Sequence, residues 1–116
     1  MFSNSRTHLV QIIYDPDGNH ESIPQVVRPG HLYVNSGDNV IFTSDQVDSL
    51  FFIPNAQELF GVEKDSLVLF IPAGSESVEF TVQPELPCGK EYPYAVYCKD
   101  CNDFAEGGSP PRMILK

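Results

Sequence analysis

The sequence predicts an all-β chain folded as an antiparallel β-sandwich of about eight short strands. Three observations carry this prediction. Ten prolines and eight glycines are spread over 116 residues, leaving no room for long helices. Between them lie short runs rich in Val, Ile, Phe and Tyr, with a turn roughly every eight to twelve residues. Residues 77–82 (SVEFTV) alternate apolar and polar side chains, the pattern of a strand with one buried face. A hydrophobic content of 41% suits one core, so residues 1–116 read as a single domain. No internal repeat, low-complexity tract or linker divides it.

The elements follow in order. Residues 8–14 (HLVQIIY) form the first strand, and 15–19 (DPDGN) a turn in which Asp-Gly supplies positive φ. Residues 21–27 return as a second strand, interrupted by Pro24 and hence at an edge or bulge. Residues 32–34 and 39–43 flank Asn35-Ser-Gly-Asp38, a hairpin or a tight corner. Residues 50–53 (LFFI) are a strand closed by Pro54; its adjacent Phe51 and Phe52 must point to opposite faces. An outward Phe52 beside Ile53-Pro54 would leave an apolar surface patch. Residues 55–60 (NAQELF) predict one helical turn capped by Asn55. Residues 67–71 are a strand. In 77–82, Val78, Phe80 and Val82 are expected on the buried face. Residues 91–98 (EYPYAVYC) place Tyr92, Tyr94 and Val96 on one side, and 112–116 (RMILK) close the chain.

The net charge is −9, from 16 acidic against 7 basic residues. A surface that binds nucleic acid or anionic lipid needs clustered cations, so neither is expected as a partner. No apolar run approaches the roughly 18 residues of a membrane span. The first residues (MFSNSRTH) lack the apolar core of a signal peptide. The expectation is an exported chain with its signal removed, or a cytoplasmic one if Met1 is the native start. The acid pairs Asp15/Asp17, Asp45/Asp48 and Asp100/Asp103 lack calcium-loop spacing and read as solvated turns. Neither a nucleophile elbow, HExxH, P-loop nor GxGxxG motif occurs, so no enzyme is predicted.

Three stretches resemble the cupredoxin (blue-copper) family, in the right order. Residues 34–42 (VNSGDNVIF) are similar to its V-x-x-G-D-x-V-x-F corner. Residues 71–80 (IPAGSESVEF) are similar to the following Gly-Glu turn and strand, and 87–98 (PCGKEYPYAVYC) to the approach to the copper cysteine. The resemblance spans residues 24–116 and implies a Greek-key sandwich. It also implies a type 1 copper site built from two His, one Cys and a weak axial Met. Only the Cys maps cleanly, onto Cys98. The first His would fall in 44–50 (SDQVDSL), where Asp48 or Ser49 stands instead, and the second near Cys101. Met113 is the one candidate for the axial ligand and lies inside the last strand. A degenerate member lacking the standard His ligands is therefore expected, with no resident cofactor and copper as the alternative.

Cys88, Cys98 and Cys101 remain. A Cys88–Cys98 bridge is not expected, because a strand of about nine residues separates the two and a disulfide needs Cα atoms within about 7 Å. The C-x-x-C at Cys98 and Cys101 can be a disulfide, a dithiol or half a soft-metal site. His31 is a third ligand candidate: if 32–34 and 39–43 pair antiparallel, His31 lies at the end where 44–49 and 98–112 cluster. His8 and His20 read as surface residues. The expected function is a monomeric, non-enzymatic binding module acting through the loop end of the sandwich, where 102–112 joins the last two strands. Its docking surface would lie near Lys90, Lys99, Arg112 and Lys116, with a protein as partner. The alternative is a Cu(I), Zn(II) or redox protein using Cys98 and Cys101 for copper handling or electron transfer.

Overall fold

The computed structural model describes residues 6–14, 25–28, 31–45, 47–99, 103–104 and 111–116. Among the described residues, twelve strands and one short helix run in the order β1 (Thr7–Tyr14), β2 (Gln25–Arg28), β3 (His31–Val34), β4 (Asn39–Ser44), β5 (Ser49–Ile53), α1 (Ala56–Phe60), β6 (Leu67–Ile71), β7 (Ser75–Glu76), β8 (Phe80–Thr81), β9 (Glu91–Pro93), β10 (Ala95–Cys98), β11 (Asp103–Phe104) and β12 (Arg112–Leu115). One ladder is ordered β2-β1-β4, with β7 and β8 both on β4. A second is β11-β10-β5-β6, and a third β3-β12-β9. The last two meet along residues 91–98. Only Tyr94 separates β9 from β10, and its N–H donates to Pro111 O at 3.0 Å, immediately before β12. The all-β sandwich read from the sequence is the observed architecture.

It is not wholly antiparallel. β1 pairs with β4 in parallel, Thr7 opposite Asn39, and β12 pairs with β3 in parallel, Arg112 opposite His31. The cause lies in 35–38, which is a corner and not a hairpin: β3 and β4 enter different ladders. Gly37 adopts φ 90° there, and its N–H donates to Val82 O at 2.9 Å. Asp38 N–H closes the turn on Asn35 O. Freed from β3, β4 offers one edge to β1.

Asp38 holds this corner to the first strand. Its side chain is buried, and its carboxylate accepts from Asn35 N–H (2.9 Å), Arg6 N–H (3.1 Å) and His8 Nε2 (2.8 Å). Burial pushes the carboxyl pKa up, but the bonds from Asn35, His8 and Arg6 and the His8 charge outweigh it, holding it below the ordinary value.

The core packs around Phe42. Its ring centroid lies 5.1 Å from Phe51, 5.9 Å from Phe80, 6.2 Å from Tyr94 and 6.3 Å from Phe60. These are tilted and edge-to-face contacts, the arrangement that ring quadrupoles favour. Val10 and Ile12 from β1, Val34 from β3, Val96 from β10, and Met113 and Leu115 from β12 complete it, all buried. Tyr92, Tyr94 and Val96 are buried together, as their alternation predicts.

Two local expectations are corrected. Val78 is 73% exposed, although Phe80 packs against the core and Val82 is fully buried. Glu76 lies opposite Thr43 and Phe80 opposite Val40, so three residues (77–79) face two (41–42). This is a β-bulge, and the extra residue turns Val78 outward. Ser77 holds it, donating N–H to Phe42 O and accepting Phe42 N–H on its Oγ. Asn55 does not cap α1 with its side chain; it sits at φ 58° and makes no such bond. Asn tolerates that left-handed conformation, and its carbonyl accepts from Leu59 N–H.

Candidate functional site

Cys98 ends β10 with 0% exposure, in register with Ser49 of β5. It is disulfide-bonded, whereas Cys88 is free and exposed. Cys88 precedes the 91–98 run and Cys98 ends it, so no bridge joins them. Cys101 lies outside the described residues, as do His20 and residues 105–110 of the loop before β12.

Polar side chains close the interior around Cys98. Ser44 ends β4, and its Oγ lies 2.8 Å from Ser49 Oγ; both side chains are buried. Ser44 Oγ gives its one proton to Val47 O, so Ser49 is the donor in the pair. Asp48 ties the neighbouring turns together: its Oδ1 accepts from Ala73 N–H at 2.9 Å, and its carbonyl from Lys99 N–H at 3.1 Å. The positions that the resemblance assigns to the first imidazole ligand are thus an internally bonded carboxylate and hydroxyl. Sequence reasoning singled out Asp48 and Ser49 but missed Ser44, whose one signal is a polar residue ending an otherwise alternating strand.

The other candidate ligands lie elsewhere. Met113 is buried in β12 opposite Tyr92, six residues before Cys98, or about 20 Å along the run at about 3.3 Å per residue. His31 is opposite Arg112, itself opposite Pro93, five residues short of Cys98 and about 16 Å along the run. The 32–34/39–43 hairpin on which the placement of His31 beside Cys98 depended is a corner. Among the described residues, no three His, Cys, Asp or Glu side chains cluster as a metal site would require. The donor set does not fit type 1 copper.

Three of the four late cations already have partners. Lys90 pairs with Glu58, Arg112 with Glu91, and Lys99 Nζ lies 5.1 Å from the Phe70 ring centroid. Lys90 precedes the 91–98 run and Lys99 follows it. The Lys90–Glu58 pair also takes in the Tyr92 hydroxyl, which donates to Glu58. The bonds from Lys90 and Tyr92 hold the Glu58 carboxyl below its usual range. Burial, then the Glu58 contact, raises the Tyr92 phenol well above an ordinary tyrosine.

The outer face of β10-β5-β6 is apolar. Ala95, Phe52 and Val68 lie side by side across the three strands, and Tyr97, Leu50 and Phe70 form the next row. Val68 is 57% and Phe70 49% exposed. A groove of about 430 Å³ follows the first row, bounded by Phe52, Pro54, Val68, Pro93 and Ala95. Phe51 points into the core and Phe52 lines this groove, the opposite faces that adjacent residues of a strand must take.

No protein-family model matches the chain, and no curated protein matches it. Solved structures do. An amicyanin variant in its reduced state aligns over 95% of this chain and 82% of its own, with TM-score 0.55 and 13% identity. A pseudoazurin from Sinorhizobium meliltoi aligns over 96% and 74%, with TM-score 0.53 and 14% identity. A purple cupredoxin from Nitrosopumilus maritimus aligns over 94% and 99%, with TM-score 0.54 and 12% identity. At such identities the likeness shows the fold: this chain has the cupredoxin fold.

Proposed function

We propose that this chain is a non-enzymatic binding module on a cupredoxin fold, in which a disulfide takes the place of the copper thiolate. The observation that carries this reading is Cys98, fully buried and disulfide-bonded beside the Ser44–Ser49 pair. Type 1 copper needs a thiolate and two imidazoles; a disulfide sulfur, Asp48 and Ser49 supply neither. The disulfide supports an oxidising, exported setting, and the −9 charge supports a protein partner over nucleic acid. In the test, Cu(II) is added to the oxidised protein. The expected result is no intense visible thiolate–copper band; its appearance overturns the proposal.

The Cys98-x-x-Cys101 spacing favours a second reading. Reduction by two equivalents of an external thiol would release a Cys98 thiol three residues from Cys101, a soft pair for Cu(I) or Zn(II). Stoichiometric Cu(I) uptake by the reduced protein, lost in the Cys98→Ser/Cys101→Ser variant, would select this reading. Its absence selects the first.

A further inference from the structure

We infer that β6 and the groove beside it dock an extended, cationic segment of a partner protein, added to β6 as a further strand. The inference rests on the binding-module reading and gives it a surface. Its first support is the open edge. β6 ends its ladder and pairs with β5 alone among the described strands. An edge strand presents a row of backbone N–H and C=O groups to any extended chain that reaches it. Natural edges are usually shortened or charged to prevent this. The other described ends follow that rule: β7, β8 and β11 are two residues long, β2 contains Arg28, β9 contains Glu91 and Pro93, and β3 is only four residues long. β6 is five residues of Leu, Val and Phe ending in Ile, without a charge, proline or glycine.

The second support is the groove. An added strand has its alternate side chains on the outer face, beside Val68 and Phe70. A side chain leaning inward there meets the apolar walls of Phe52, Pro93 and Ala95. Backbone pairing supplies affinity, and this groove selects an apolar residue.

Charge decides the occupant. Glu63, Lys64 and Asp65, all exposed, lead into β6 with two acids against one base, and the whole chain carries −9. Lys99 already lies over Phe70 at the other end, so a partner's cations are drawn most strongly to Glu63 and Asp65. A second copy of this chain would bring another −9 to the contact, which self-repulsion opposes. The fitting occupant alternates apolar residues with Lys or Arg.

The probe is a fluorescein-labelled peptide of sequence KVKFKVK, titrated with the full chain and read by anisotropy. Saturable binding is expected, weakened at least tenfold by Val68→Lys, unchanged by the remote Val78→Lys and diminished by added salt. Amide shifts of the unmodified protein are expected to concentrate in 66–71, which keeps the test decisive should Val68→Lys fail to fold. Equal binding of EVEFEVE, equal binding by a folded Val68→Lys variant, or shifts confined to other strands would overturn the inference. So would a wild-type dimer in sedimentation that Val68→Lys disrupts, since the occupant would then be a second copy. The copper titration reads Cys98 and not Val68, so failure of either proposal is distinguishable from failure of the other.

Discussion

Replacing Asp38 by Asn removes one oxygen acceptor from a site where three donors converge. The carboxylate accepts from Arg6 N–H on Oδ1, and from Asn35 N–H and His8 Nε2 on Oδ2. The amide keeps one oxygen. Placed at the Oδ2 position it satisfies Asn35 and His8, but its NH₂ then faces Arg6 N–H, donor against donor. One buried donor without an acceptor costs about 1–3 kcal/mol, and the two remaining bonds lose their charge assistance. The expected total is about 2–4 kcal/mol. With an unfolding entropy of about 2.1 cal/mol/K per residue over the chain's 116 residues, this lowers Tm by roughly 8–16 °C. The assay is thermal unfolding of both proteins followed by circular dichroism at several pH values. The folded-state pKa of Asp38 lies below its unfolded value of 3.8. Its contribution is therefore fully present above that value and is lost as pH falls through the lower, folded one. The two melting curves should differ at neutral pH and converge in strong acid. Equal Tm values at pH 7, or a difference that persists unchanged in strong acid, would refute the reasoning.

Phe42→Ala should cost about 3–5 kcal/mol in urea unfolding, because it empties the position around which Phe51, Phe60, Phe80 and Tyr94 pack. A phenol with a raised pKa stabilises the fold below the ordinary tyrosine range and ceases to do so above it. Stability of the wild type should thus decline as pH rises past about 10, and the decline should be smaller in Tyr92→Phe. Cys88 should supply a rapidly reacting thiol in the native protein, lost in Cys88→Ser, while Cys98 stays silent until a reductant is added.

Much of the fold was legible because alternation reports which face of a strand is buried, and burial is what a sandwich requires. Residues 91–98 show this: Tyr92, Tyr94, Val96 and Cys98 are all buried. Alternation is silent on strand direction, since parallel and antiparallel ladders share a period of two, and the parallel β1–β4 and β3–β12 pairs went unseen. It is equally silent on a one-residue insertion. Val78 sits in an unbroken apolar–polar pattern, and only pairing against Phe42 shows where the extra residue falls. At the site, Cys98 was placed by the local residues preceding it. The placement of His31 rested on a hairpin at Asn35–Asp38, which instead joins two strands that lie in different ladders. The outer apolar face was visible only as adjacent phenylalanines. Its extent depends on register across three strands, which no local pattern encodes.

The position of β12 bears on how the chain reaches its fold. β12, the last of the described strands in chain order, lies between β3 and β9 and pairs with both. Neither neighbour can complete its ladder until residue 115 has been made. Until then Leu32, Val34 and Tyr92 lack the wall that Met113 and Leu115 supply. Such long-range closure is slow compared with local pairing. Without β12, the facing edges of β3 and β9 stand open. Loss of β12 should therefore leave a chain prone to aggregate and not a smaller folded one.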